Sequence, residues 1–117
     1  MGEYLLLFRG AESETRRQSP EQWQEHMELW ADWMGGLSRE GKFLGAQPLN
    51  ANGKVVTGKK KIISDGPFME GKEMVGGYLI LKVDTYDEAV RIAGDCPILA
   101  FDDGSVEVRE IQEMMMR

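Results

Sequence analysis

The chain has 117 residues, of which 42% are hydrophobic and 29% are charged, a composition typical of one folded domain. Its formal net charge is −6 at pH 7, which argues against nucleic acid or an anionic membrane as a partner, because either would select a basic surface. The single cysteine, Cys96, rules out an intramolecular disulfide and favours a reducing compartment. No apolar run approaches the roughly 20 residues of a membrane span and no signal peptide is recognisable, so we expect one cytoplasmic domain over residues 1–117.

The first half of the sequence predicts a strand followed by a long helix. Residues 4–8 are continuously apolar and precede Gly10, as in a buried strand. Ser19 and Gln22 have the spacing of a capping box around Pro20, so a helix should begin here and end near Gly41. Its apolar positions recur at spacings of four and three along one face and are Trp23, Met27, Trp30, Met34 and Leu37.

The second half predicts five more strands and one helix. Residues 43–49 fit an irregular strand, and 54–57 with 60–64 fit a hairpin that turns at Gly58. Residues 74–83 form the longest apolar run, in which Gly76 and Gly77 indicate a bulge or a close backbone approach. Thr85 can cap a short helix, and residues 105–111 alternate like a half-exposed strand.

This element order, β-α-β-hairpin-β-α-β, predicts an α+β ferredoxin-like fold with two helices on one face of an antiparallel sheet. Residues 4–8 and 78–81 are apolar on both strand faces, but two helices can cover only one side of the sheet. A second copy of the chain is the simplest cover for the other side, so we expect a homodimer.

The sequence ISDGPF at residues 63–68, with GGY at 76–78 and GSVEVR at 104–109, resembles the YCII-related family and specifically its DGPF-domain branch. The resemblance covers nearly the whole chain. It implies a ferredoxin-like fold that dimerises as in the dimeric α/β-barrel proteins, and a site made of one histidine and one aspartate. Those residues correspond to His26 on the first helix and Asp65 in the central motif.

His26 is the only histidine and therefore the natural general base or acid near neutral pH. It falls at the edge of the apolar helix face, one turn before Trp30. Asp65 would orient His26 and stabilise its charged form. The structural alternatives are a half-buried histidine that bonds a backbone carbonyl, and an aspartate that only shapes a turn.

Four further residues are candidate substrate contacts. Trp30 and Trp33 would wall a cleft beside His26, although core or interface packing also explains them and Trp23. Phe68 should be anchored in apolar surroundings within an ordered turn at Pro67. Lys72 could balance Asp65 or hold an anionic group, or belong to a solvated charge run with its neighbours Glu70 and Glu73.

Several kinds of site are not predicted. One histidine and one cysteine do not supply a familiar metal-ligand set, and no cofactor-binding motif occurs, so we expect neither metal nor cofactor. No basic neighbour in sequence would lower the pKa of Cys96, which argues against a nucleophilic role. Two functions remain open: a cofactor-independent enzyme that uses His26 and Asp65 for proton transfer on a small organic substrate, or a non-catalytic module that binds a small molecule or a protein. Some relatives are associated with sigma-factor-type regulators, which agrees with the second.

Overall fold

The computed structural model of the protein describes residues 2–10, 18–66 and 74–113. Its regular elements in chain order are β1 (Gly2–Arg9), α1 (Pro20–Arg39), β2 (Phe43–Pro48), β3 (Gly53–Thr57), β4 (Ile62–Gly66), β5 (Val75–Val83), α2 (Tyr86–Ala93), a 3₁₀ helix (Pro97–Ala100) and β6 (Ser105–Glu110).

Four strands form the main sheet in the order β2-β5-β1-β6, and every neighbouring pair is antiparallel. With α1 following β1 and α2 following β5, this is the ferredoxin-like arrangement that the sequence predicts. Among the described residues, strands β3 and β4 pair only with each other, and they form a hairpin that follows β2 and precedes β5 in the chain.

Side-chain capping starts both helices where the sequence predicts. The Ser19 side chain accepts from the Gln22 backbone N–H, and the Gln22 side chain accepts in return from the Ser19 backbone N–H. The second helix starts in a similar way, since the Thr85 hydroxyl accepts from the Glu88 N–H. These bonds satisfy N–H groups that a helix leaves unpaired at its start.

The core lies between the helices and one face of the sheet. Its buried members on β1 and β5 alternate along each strand and are Tyr4, Leu6, Phe8, Leu79, Leu81 and Val83. The intervening residues Leu5, Leu7, Tyr78 and Ile80 share the opposite face, which no helix covers, and are only partly buried.

Strand β5 contains the bulge predicted at its two glycines. Phe8 pairs with Gly77 and Arg9 pairs with Val75, so Gly76 is the extra residue. The predicted close backbone approach occurs at Gly77, because a Cβ there would lie 3.1 Å from the carbonyl oxygen of Gln47.

One local prediction needs correction. The second strand of the hairpin was predicted to end at residue 64, but Asp65 is extended within β4 and lies opposite Lys54 in β3. Cross-strand pairing with an oppositely charged residue stabilises the extended backbone there. The predicted turn at Pro67 and Phe68 and the charge run 70–73 lie outside the described residues.

Candidate functional site

A cavity of about 440 Å³ opens between helix α1 and one end of the main sheet. One wall comes from α1 and the other from the end of β2 and the start of β5. Its lining residues are mostly apolar and comprise Phe8, Gly10, Trp23, His26, Met27, Trp30, Met34, Ala46, Gln47, Pro48, Gly76, Gly77, Tyr78 and Ile98. A volume of this size and a largely apolar lining are typical of sites for small organic molecules.

His26 is the residue of this lining that titrates near neutral pH. Its side chain is buried, with 8% of the residue exposed, and its ring packs edge-on against Phe101 at a centroid distance of 4.9 Å. The indole N–H of Trp30, one helical turn later, donates a hydrogen bond of 2.9 Å to Nε2 of His26. The spacing of four residues along α1 brings these two side chains onto neighbouring positions of one face.

The environment of His26 favours its neutral form. Burial lowers the pKa of the imidazole from its ordinary value of 6.5. Because Nε2 accepts the bond from Trp30, it carries no proton, and the ring proton of neutral His26 lies on Nδ1. In neutral His26, Nδ1 therefore carries the N–H donor, and the basic lone pair of Nε2 is engaged by Trp30.

Asp65 is placed on the hairpin and does not line the cavity. Its side chain is 75% exposed and its carboxylate forms an ion pair with Lys54. No hydrogen bond joins Asp65 to His26 within the described residues of this single chain. The His26–Asp65 pair accordingly stays a prediction.

The other predicted contacts have different outcomes. Trp30 lines the cavity, whereas Trp33 lies behind it and packs edge-on against Phe8 and Trp30, at centroid distances of 6.2 and 5.7 Å. Phe68 and Lys72 lie outside the described residues.

Sequence reasoning missed several cavity residues because they meet only in the folded chain. Phe8 was predicted as core and Trp23 as packing, yet Phe8 also faces the cavity and Trp23 is 44% exposed at its rim. Pro48 and Ile98 carried no functional signal. The paired glycines of β5 were predicted to form a bulge or a close backbone approach, and not to line a site.

The single cysteine of the chain lies outside the cavity lining. Cys96 is buried at 3% exposure, and burial raises the pKa of its thiol to about 12, so it is not poised to act as a nucleophile. In residues 2–10, 18–66 and 74–113, no group of three or more histidine, cysteine or carboxylate side chains is placed to hold a metal ion. Over the same residues, no helix is both long and apolar enough to span a membrane.

The model of the YCII-related domain matches residues 3–115. This chain belongs to the YCII-related family. Among solved structures, the YCII-related chain is similar in fold to 5-chloro-2-hydroxyhydroquinone dehydrochlorinase (TftG) from Burkholderia phenoliruptrix, in complex with 2,5-dihydroxybenzoquinone. The two share 14% sequence identity with a TM-score of 0.52, and the match covers 97% of this chain and 96% of the other. No curated protein matches the chain.

Proposed function

We propose that this YCII-related protein is a cofactor-independent enzyme that transfers a proton on a small, flat organic substrate held in the His26 cavity. The observation that carries the proposal is a neutral imidazole buried in an apolar pocket of about 440 Å³. An imidazole kept neutral near pH 7 can accept a proton without first losing one, which a general base requires.

The geometry suggests how His26 and Trp30 would act together. A substrate hydroxyl or acidic C–H that approaches Nε2 competes with the indole N–H for the same lone pair. When Nε2 takes the proton, the pair of electrons stays on the substrate. The displaced indole N–H can then donate to the oxygen on which negative charge develops.

Asp65 is the proposed second member of the site. A carboxylate at Nδ1–H would orient the ring and stabilise the imidazolium that forms. In a single chain Asp65 is paired with Lys54 on the exposed hairpin and does not line the cavity, so we expect a movement of the hairpin or a second copy to bring it to His26. Phe68 and Lys72, in the segment that follows, remain proposed substrate contacts, and this segment would place the chain in the DGPF branch.

The aromatic walls favour a hydroxylated aromatic or quinonoid substrate. Phe8, Trp23, Trp30 and His26 present flat rings, which pack well against another ring. TftG, which shares the fold, was observed with 2,5-dihydroxybenzoquinone, and we adopt that molecule as a probe of the substrate class.

Binding can be measured by quenching of tryptophan fluorescence, because all three tryptophans lie on α1 and two of them, Trp23 and Trp30, line the cavity. We expect saturable quenching by 2,5-dihydroxybenzoquinone in the wild type. Trp33→Phe is the matched control, since Trp33 does not line the cavity, and it should bind the probe as the wild type does. Saturable binding that is unaffected by Trp30→Ala would place the probe elsewhere and contradict this site.

A non-catalytic binding module is the second candidate. One observation favours it: Nε2 of His26 already has a hydrogen-bond partner in Trp30, as a purely structural histidine would. Such a module, which could serve sigma-factor-type regulation, would bind the probe in the cavity without changing it. Turnover of the bound probe therefore separates the two candidates.

We also propose a cytoplasmic homodimer. Leu5, Leu7, Tyr78 and Ile80 lie together on the sheet face opposite the helices and are only partly buried in one chain. Pairing two such faces would bury on the order of 1,000 Å² or more in total, the range of stable dimers. The buried free thiol of Cys96 fits a reducing compartment.

A further inference from the structure

The hairpin Gly53–Gly66, hereafter the arm, leaves its apolar residues uncovered. Its four β-branched aliphatic residues are exposed: Val55 at 39%, Val56 at 62%, Ile62 at 62% and Ile63 at 68%. The arm pairs with no strand of the main sheet in the described residues. An isolated two-stranded hairpin is at best marginally stable in water, so this arm needs a surface to pack against.

The arm is apolar on both of its faces. Val56 lies directly opposite Ile63, and these two share one face with the Lys54–Asp65 pair. Val55 and Ile62 lie on the other face, because side chains alternate along each strand. A surface of the same chain can cover at most one face of a ribbon. The second face therefore calls for another chain.

The net charge of the arm indicates which kind of chain it would bind. Four lysines and one aspartate give the arm a net charge of +3, whereas the whole chain carries −6 and the remainder therefore −9. A second copy thus offers an acidic surface to the arm. On α1 the solvent-facing side carries an exposed acidic stripe at spacings of four, three and four, made of Glu21, Glu25, Glu28 and Asp32. The same helix exposes Trp23 at 44% and Met27 at 37% at the cavity rim.

We propose that the arm of each copy docks across helix α1 of a second copy in a reciprocal pair. The lysines of the arm tip, Lys59, Lys60 and Lys61, face the acidic stripe, and the face that carries Val56 and Ile63 covers the cavity rim at Trp23 and Met27. Because Asp65 shares that face, it is delivered to the partner's cavity, and the His26–Asp65 pair forms between subunits. This inference rests on the homodimer proposed above, in which the arm–helix contacts would add to the contact between the two sheet faces.

Reciprocal charge reversal tests the docking. One variant carries Lys59→Glu, Lys60→Glu and Lys61→Glu, and the other carries Glu25→Lys, Glu28→Lys and Asp32→Lys. Sedimentation at micromolar concentration should show each variant dimerising at least tenfold more weakly than the wild type. An equal mixture should recover the wild-type Kd as a heterodimer, because both arm–helix contacts are then complementary. Arg91→Glu, an exposed reversal on α2, is the control and should leave the Kd unchanged.

The remaining outcomes overturn the inference in different ways. A mixture whose dimer Kd is no tighter than that of either variant alone contradicts docking between chains. If the wild-type Kd returns only when both sets of changes lie on one chain, the arm packs on its own subunit instead. A wild type that stays monomeric overturns both this inference and the homodimer. Reversed arms that leave the wild-type dimer intact overturn the docking alone. In that case, loss of binding to duplex DNA in the arm variant would assign the arm to nucleic acid.

Discussion

Trp30 donates its indole N–H to Nε2 of His26, the only histidine, across 2.9 Å. This bond fixes the orientation of the imidazole ring, with Nε2 towards Trp30. Burial favours the neutral ring, and the bond to Nε2 leaves the proton of that neutral ring on Nδ1. Trp30 thus links the packing of α1 to the chemistry of the cavity.

Removing this donor should raise the pKa of His26. Trp30→Phe keeps an aromatic wall but leaves Nε2 free, so the neutral form loses its hydrogen bond and protonation becomes easier. An NMR titration of the single histidine reports the change directly. Trp33→Phe, which removes an indole that does not contact His26 through a hydrogen bond, should leave the pKa at the wild-type position. An unchanged or lower pKa in Trp30→Phe would show that the bond is absent in solution.

The lowered pKa of His26 predicts how stability varies with pH. Its pKa in the folded chain lies below the ordinary value of 6.5, so between the two values the unfolded chain binds more protons. Stability should therefore fall as the pH drops from 6.5 towards the folded pKa, and be independent of His26 above that range. The Tm difference between wild type and His26→Gln should be largest at pH 8 and shrink at pH 5.5. A difference that grows on acidification would reverse the sign and contradict the account.

Gly77 should control access to the cavity. A Cβ at this position would lie 3.1 Å from the Gln47 carbonyl oxygen and 3.7 Å from Cδ2 of Phe8, so Gly77→Ala crowds the lining. We expect 2,5-dihydroxybenzoquinone to bind at least tenfold more weakly, as measured by fluorescence quenching. Gly76→Ala is the matched control, because its Cβ meets nothing closer than 3.9 Å. Equal loss in both variants would point to a general effect on β5.

The open sheet face should tolerate no charge at its centre if it forms the dimer. Ile80→Glu places a carboxylate among apolar residues of the proposed interface, where desolvation costs several kcal/mol and should weaken the dimer more than 100-fold. Light scattering should then report the 13.2 kDa monomer. Leu99→Glu, at a 43% exposed leucine of the 3₁₀ helix, should remain dimeric. An Ile80→Glu variant that stays dimeric would move the interface to another surface.

The sequence predicts the fold well where the signals are local. Ser19 and Thr85 mark both helix starts, and the apolar periodicity of α1 puts His26 on the edge of the buried face, one turn from Trp30. The site is less predictable because Phe8, Pro48 and Gly77 become neighbours only through strand pairing. The position of Asp65 depends on how the arm leaves the sheet, which no spacing within the arm specifies.

The most direct test of the proposed chemistry is proton exchange on the bound probe. In D₂O, the ring hydrogens of 2,5-dihydroxybenzoquinone can be followed by ¹H NMR at protein concentrations that give equal bound fractions. Exchange requires a solvent deuteron to add to a ring carbon of the dihydroxyquinone and a base to remove the original proton from that carbon. If His26 is this base, the wild type should accelerate exchange by about 100-fold or more over His26→Gln, the usual scale of general-base catalysis. Equal exchange rates for wild type and His26→Gln, with the probe bound to both, would contradict catalysis by His26 and leave a binding module.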